Sequence, residues 1–164
     1  MATYNSTIEI QSEPYPTFFD ITQEVTKIVK ESGISNGIAV VYSKHTTCSV
    51  ITQEDSHDET YKGQKYLFQD LLNIMERFMP TCLTEGQYLH PGPKHIEWAK
   101  GNGEEAWWSL NTDAHLRSVL LGRSEDIPII DGSLELGLFA KIYFVDFDQV
   151  RARNRKVIVQ IVGE

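Results

Sequence analysis

Residues 37–52, GIAVVYSKHTTCSVIT, predict the centre of the fold. The run begins with apolar, β-branched residues from Gly37 to Tyr42 and ends with Val50 and Ile51, a pattern typical of a buried central strand. The polar run from Lys44 to Ser49 interrupts it where packing alone would favour apolar side chains. We therefore expect a functional site at the far end of this strand.

Strand alternation predicts which side chains share that site. Successive side chains of a strand point to opposite faces, so His45 and Thr47 are expected on one face with Ser49. We expect His45 to be a catalytic residue and Thr47 a substrate ligand. Cys48 is expected on the other face. It is therefore interpreted as a buried structural thiol and not as the nucleophile of a Cys/His pair.

The segments around this strand predict four helices and several strands. Apolar residues at helical spacing, with capping and terminating residues, predict helices over residues 20–30, 66–79, 94–100 and 111–122. Alternating or β-branched runs predict strands over residues 7–11, 126–130, 134–146 and 155–162, with a tight hairpin turn at Asp131-Gly132. We expect an α+β fold over residues 1–164, a single domain with a largely antiparallel sheet packed against a few helices.

Composition excludes several classes of partner. The 164 residues carry a formal net charge of -8, which argues against binding to nucleic acid or to an anionic membrane surface. No apolar run approaches the about 20 residues of a membrane span, and the N-terminus lacks the pattern of a secretory signal. Cys48 and Cys82 show no disulfide or zinc-ribbon spacing. We expect free thiols and a cytoplasmic protein.

Three of the five histidines lie in settings that packing explains poorly. His45 follows a charged residue at the strand end, His90 lies in a glycine-proline loop, and His115 stands in the first turn of a helix. Three imidazoles could hold a divalent metal such as zinc and leave a fourth position open. His95 is an alternative to His90 as the third ligand, and the residues alone do not choose between them.

Two further residues are candidates with two interpretations each. Asn111 stands one helical turn before His115, so it is either a helix cap or a substrate ligand. The free N–H groups at this helix start favour an anion such as phosphate. Glu54 is either a general base or part of a solvated strand end, and we favour the base because Glu54 follows the polar run so closely.

An ordered set of motifs resembles the YjbQ family, also called UPF0047 proteins or secondary thiamine-phosphate synthases. The motifs extend over nearly the whole chain in the family's order. They are His45-Thr46-Thr47-Cys48-Ser49-Val50 with Gln53-Glu54-Asp55, Tyr88-Leu89-His90, Asn111-Thr112-Asp113-Ala114-His115, Gly132-Ser133-Leu134-Glu135-Leu136-Gly137 and the ending Val159-Gln160-Ile161-Val162-Gly163-Glu164.

The resemblance implies a homotrimer of α+β subunits with a pocket for a metal or a sulfate-like anion. By position it assigns the pocket histidines to His45, His90 and His115, the acidic residue to Glu54 and the Asn/Asp position to Asn111, which favours His90 over His95. It further implies a transferase that joins a pyrimidine diphosphate to a thiazole phosphate, for which zinc or magnesium is the expected metal. Alternatives are a metal-dependent hydrolase of a small phosphorylated or amide substrate and a non-enzymatic binding protein.

Two features depart from the family pattern. Gly137-Leu138-Phe139-Ala140 stands where the family usually has Gly-Thr-Trp-Gln, so a glutamine expected to face the pocket is missing. Residues 56–65 and 91–110 form segments longer than the family's usual ones, which could cover or reshape the pocket. Both departures leave the three histidines in place.

Overall fold

The computed structural model describes all 164 residues as two antiparallel sheets and four helices. In chain order the strands are β1 Ala2–Gln11, β2 Thr17–Asp20, β3 Gly37–Ser43, β4 Cys48–Glu54, β5 Ser124–Ile130, β6 Ser133–Leu134, β7 Ala140–Asp146 and β8 Asn154–Gly163. The helices are α1 Thr22–Ser32, α2 Tyr66–Phe78, α3 Pro93–Gly101 and α4 Thr112–Leu121, with a short 3₁₀ helix at Ala106–Ser109. None of the helices has the length and hydrophobicity needed to cross a lipid bilayer.

The three-stranded sheet lies in the middle of the molecule. Its strand order is β2-β7-β4, and the larger sheet has the order β1-β8-β3-β5-β6. One apolar core combines α1 with buried side chains from both sheets, including Val41, Val50 and Phe144. A second core packs the other face of the small sheet against α2 and α4. Because the small sheet is covered on both faces, every residue from Ile142 to Asp146 is buried.

The α+β class and the four helices predicted from sequence are confirmed, each helix within a few residues of its expected bounds. The hairpin turn is also confirmed. Asp131 and Gly132 both have positive φ, 50° and 76°, between the paired strands β5 and β6. This is the backbone that a two-residue turn requires to match the twist of its strands.

Two strand predictions are wrong in detail, and one strand was not predicted. The run 37–52 is not one central strand, because β3 belongs to the large sheet, β4 belongs to the small one, and the chain turns between them at Lys44–Thr47. The run 134–146 divides into β6 and β7. The four residues of β2 directly follow Pro16 and were not expected as a strand, yet they pair with β7.

The large sheet depends on a close approach of two glycines. Gly37 of β3 pairs with Gly163 of β8, and a Cβ at Gly37 would overlap the Val162 carbonyl oxygen. We predict that Gly37→Ala lowers the free energy of unfolding by about 1–3 kcal/mol, the cost of forcing extra volume into a packed site. Gly101→Ala is the matched control, since nothing lies within 4 Å of its added methyl. Equal stability of the two variants in urea unfolding would contradict the prediction.

Candidate functional site

The turn between β3 and β4 lines a polar cavity where the two sheets meet. The backbone N–H of Cys48 donates to the carbonyl of His45 at 3.2 Å, which closes the turn. The cavity has a volume of about 240 Å³. Eight residues line it: Lys44, His45, Thr46, Thr47, Asn111, His115, Arg153 and Arg155. We call it the junction cavity.

The charge of the junction cavity is opposite to that of the whole chain. Three of its lining residues are cations, and none is acidic or hydrophobic, whereas the chain as a whole has a net charge of -8. Asn111 also brings the start of α4 to the cavity, and no side chain caps this helix. Because the first N–H groups of a helix carry a partial positive charge, the cavity is suited to an anion.

A buried ion pair forms the wall behind the cavity. Arg155 Nε donates to Asp146 Oδ2 at 2.7 Å, and Arg155 Nη2 donates to Asp146 Oδ1 at 3.0 Å and to Thr47 Oγ1 at 3.1 Å. Burial lowers the pKa of Arg155, but the hydrogen bond and charge of Asp146 outweigh it, so the pKa is raised. Arg155 therefore stays charged.

The carboxylate of Asp148 contacts both arginines and Asn111 in this wall. Asp148 is fully buried, and its Oδ2 lies 3.1 Å from Arg153 Nη2 and 3.5 Å from Arg155 Nη2. The side-chain amide of Asn111 donates to the same oxygen at 3.3 Å. Arg153 Nε is buried and has no hydrogen-bond partner. This unused donor belongs to a residue that lines the cavity.

His45 is held as a neutral ring. The backbone N–H of Lys156 donates to His45 Nε2 at 3.0 Å, so this nitrogen must be unprotonated and Nδ1 carries the hydrogen. Burial, and after it the positive charges of Arg155, Lys44 and Arg153, lower the pKa of His45. His45 can therefore donate one hydrogen bond through Nδ1.

His115 is held as the same Nδ1–H tautomer, but through its other ring nitrogen. Its Nδ1 lies 3.2 Å from the carbonyl oxygen of Thr46, and a carbonyl can only accept, so Nδ1 carries the hydrogen. Burial lowers the pKa of His115, against an opposing effect of this hydrogen bond. Nε2 of the neutral ring is consequently a free hydrogen-bond acceptor.

His90 and His95 extend from His115 away from the cavity. The ring centroids of His90 and His115 are 5.8 Å apart, and those of His90 and His95 are 4.6 Å apart. Neither His90 nor His95 lines the junction cavity. No group of three or more His, Cys, Asp or Glu side chains is arranged to hold a metal ion. The expected metal ligands His45, His90 and His115 are therefore not assembled as one ligand set.

The other candidate residues divide between this site and the opposite end of β4. Thr47 and Asn111 line the junction cavity, where the sequence predicted substrate ligands. Glu54 is exposed at the far end of β4, paired with Ala140, and does not line the cavity. Its role as a base stays a prediction, and the missing family glutamine at Ala140 likewise falls outside this cavity.

The cysteine prediction is partly confirmed. Cys48 and Cys82 are both free and buried, and burial followed by the charge of Asp146 raises the pKa of the Cys48 thiol. The strand alternation used for Cys48 does not hold across the turn, since its sulfur lies 3.4 Å from Asp146 Oδ1 and 3.9 Å from Thr47 Oγ1. Cys48 thus contacts the wall of the site from behind.

Sequence reasoning did not assign the arginines of the cavity. A signal was present in residues 151–155, RARNR, which place three arginines within five positions of an acidic chain. Arg153 lies just before β8 and Arg155 within it. Arg153 and Arg155 could be assigned to the cavity only once β8 was known to lie beside the β3–β4 turn.

Comparison with known proteins identifies the group to which the chain is related. The family model described as "UPF0047 protein YjbQ-like" matches residues 6–164. The chain belongs to the YjbQ/UPF0047 family. A UPF0047 protein of Methanothermobacter thermautotrophicus is 29% identical over 164 residues, which cover 100% of this chain and 95% of that protein. One from Archaeoglobus fulgidus is 32% identical over 141 residues, covering 86% and 87%.

Solved structures of YjbQ/UPF0047 proteins share the fold. A YjbQ/UPF0047 protein of Clostridium acetobutylicum superposes with a TM-score of 0.72 at 29% identity, covering 96% of this chain and 99% of that one. A "YbjQ-like protein of unknown function" from Sulfolobus solfataricus also gives 0.72, at 26% identity and 99% coverage of both chains. The expected family and fold are thereby confirmed.

The neutral histidines predict how stability depends on pH. Folding lowers the pKa of His45, His90 and His115 from 6.5, for His90 through burial and then its two histidine neighbours. The unfolded chain takes up protons first as the pH falls, so stability is complete above about pH 6.5 and declines below it. Each ring can lower the free energy of unfolding by at most about 1.4 kcal/mol for each pH unit. The decrease is smaller here because solvent screens the charge of a partly exposed ring.

Urea unfolding between about pH 7.5 and about pH 5.5 measures this decline, because carboxylates titrate mostly below this range. His115→Gln should reduce the pH slope. His57→Gln, at an exposed position, is the control that should leave it unchanged. If the free energy of unfolding does not decrease as the pH is lowered, the assignment of neutral rings is contradicted.

Proposed function

We propose that the junction cavity binds the phosphate group of a small phosphorylated molecule. The observation that carries this proposal is the lining itself, with three cations, the start of α4 and no carboxylate. Phosphate oxygens are strong acceptors, and Arg and Lys are their usual partners. Arg153 Nε, buried without a partner, offers one unused donor.

The two histidines support a phosphate that still carries one proton. Neutral His45 would donate from Nδ1 to a phosphate oxygen, while His115 would accept from a phosphate hydroxyl at Nε2. These roles follow from the hydrogen bonds that fix each ring on the main chain. One donor histidine and one acceptor histidine match the acceptor oxygen and the hydroxyl of a hydrogen phosphate.

A divalent metal fits the same residues poorly. Magnesium prefers carboxylate oxygens, and no Asp or Glu lines the cavity. Zinc takes three or four nitrogen, sulfur or carboxylate ligands. This cavity offers one free ring acceptor, Nε2 of His115, because His45 Nε2 already accepts from the Lys156 N–H and its Nδ1 carries the hydrogen. The three cations would also repel a metal ion. We therefore derive the chemistry from the anion and assign no step to zinc or magnesium.

The reaction that we propose is the thiamine-phosphate synthase type of transfer implied by the family resemblance. The ring nitrogen of a thiazole phosphate forms a bond to the methylene carbon of a pyrimidine diphosphate, and the carbon–oxygen bond to the diphosphate breaks. Diphosphate leaves with the bonding electrons. Lys44, Arg153 and the N–H groups of α4 would stabilise its negative charge, which is the main requirement of such a reaction.

Anion binding is tested with inorganic pyrophosphate and isothermal titration calorimetry. We predict that Arg153→Gln weakens binding about tenfold, the value of one charge-assisted hydrogen bond. Arg77→Gln is the matched control, because it removes the same charge from an exposed position on α2. An equal loss in both variants would indicate unspecific attraction and contradict the site.

The reaction is tested separately by mixing the two precursors with the wild-type protein and measuring thiamine phosphate. Product that is lost in His45→Ala, with unchanged thermal stability, would support the transferase. If pyrophosphate binds but no thiamine phosphate forms, the protein is a binding protein and this reaction is excluded.

We also propose that the chain assembles as a homotrimer, as the resemblance implies. Leu116, Val119 and Leu120 recur at helical spacing on α4 and are 37%, 77% and 58% exposed, so they form an apolar stripe without a partner in the subunit. We predict three chains per particle by light scattering, and dissociation in Val119→Glu but not in Lys27→Glu on α1. A monomeric wild type would contradict the proposal.

A further inference from the structure

A second cavity lies on another part of the molecule, beside β2. It has a volume of about 670 Å³, within the range of small-molecule sites. Its walls come from the turn before β2, the loop at residues 60–64 and the first turns of α2. It shares no residue with the junction cavity. We call it the tyrosine cavity, because Tyr15, Tyr61 and Tyr66 all line it.

Its floor is rigid and aromatic. Phe18 of β2 stacks on Phe68 of α2 with ring centroids 4.3 Å apart and planes 3° apart. The same ring meets Phe147 edge-on at 6.2 Å. Since Phe68 and Phe147 belong to the second core, Phe18 is fixed before any ligand arrives. The three tyrosine rings above it remain partly or fully exposed and can contact a ligand.

Lys62 is the one charged residue of the tyrosine cavity. Its ammonium lies 5.0 Å from the ring centroid of Tyr15 and 5.8 Å from that of Tyr61. No Asp or Glu lines this cavity, although the chain contains 23 of them. A single cation held over aromatic faces, without a carboxylate beside it, favours a ligand with a single negative charge.

Gln64 lines this cavity and also a smaller neighbouring cavity that includes Asp20 and Asp55, and it carries an unused donor. Its side-chain nitrogen is buried and has no hydrogen-bond partner. The turn that carries it is well tied, because Thr60 N–H donates to the Gln64 carbonyl at 2.7 Å and Gln64 N–H donates to Thr60 Oγ1 at 3.2 Å. A buried amide without an acceptor is costly, so an acceptor on a ligand would relieve it.

We propose that the tyrosine cavity binds a small planar aromatic molecule that carries one carboxylate. The ring would stack among the tyrosines over Phe18, and the carboxylate would accept from Lys62 Nζ and Gln64 Nε2. This cavity offers a phosphate one cation, whereas the junction cavity offers three. Residues 60–64 lie within residues 56–65, the segment that the family resemblance leads us to expect to be longer than usual. On that expectation the site is a feature of this chain.

The probe is 4-hydroxybenzoate, compared with its neutral isostere 4-hydroxybenzamide by saturation-transfer NMR on the whole protein. We expect a dissociation constant of about 1 mM for the carboxylate, typical of a good ligand with about ten non-hydrogen atoms. The amide should bind about tenfold more weakly, since it lacks the charge-assisted hydrogen bond to Lys62.

Lys62→Met keeps the length of the side chain and should weaken 4-hydroxybenzoate about tenfold while leaving 4-hydroxybenzamide unchanged. Lys27→Met, which removes an exposed charge on α1, is the matched control and should change neither. Tyr66→Ala should weaken both ligands, because it removes ring contact without altering charge. Thermal melts of all three variants establish that they fold.

Several results would overturn the proposal. One is no detectable binding of 4-hydroxybenzoate, and another is equal affinity for the acid and the amide. A third is binding that survives Lys62→Met unchanged. A fourth is complete displacement of 4-hydroxybenzoate by inorganic phosphate, which would assign the carboxylate to the junction cavity instead.

Discussion

The two sheets are joined at the site by one buried ion pair. Arg155 of β8 belongs to the large sheet and Asp146 of β7 to the small one, and their side chains meet through two hydrogen bonds of 2.7 Å and 3.0 Å. Both side chains are at most 4% exposed. Removing Arg155 would leave the Asp146 carboxylate buried without its ion-pair partner, a loss of about 3–5 kcal/mol. The position of Thr47, and with it the β3–β4 turn, depends on this pair.

The same pair explains how an acidic protein can present a positive cavity. Asp146 and Asp148 are fully buried behind the arginines and do not line the cavity. The arginines and Lys44 lie in front of them, so an anion approaching from solvent meets the cations first. Because Coulomb interactions weaken with distance and with solvent, the nearer charges dominate. The buried carboxylates thus position the cations without cancelling their attraction.

Local patterns predicted most of the fold and about half of the site. The stripe of α1 and the Asp131-Gly132 turn are properties of adjacent residues, and both were found. The change of sheet at Lys44–Thr47 was not, because β-branched residues continue on both sides of it and alternation gives no sign of a turn. Thr47 and Asn111 were predicted from their neighbours, whereas Arg155 meets Thr47 across 108 positions of sequence, a contact that only the pairing of β8 determines.

The histidines show why residue type predicts chemistry less well than hydrogen bonding does. Three histidines suggested a metal, but the hydrogen bonds of two of them define different tasks. A main-chain N–H leaves His45 as a donor, and a main-chain carbonyl leaves His115 as an acceptor. Both rings are Nδ1–H tautomers, but they leave different nitrogens free. The free donor of His45 and the free acceptor of His115 match the two kinds of oxygen on a hydrogen phosphate. The backbone of the β3–β4 turn and of β8 therefore sets the chemistry of the site as much as the side chains do.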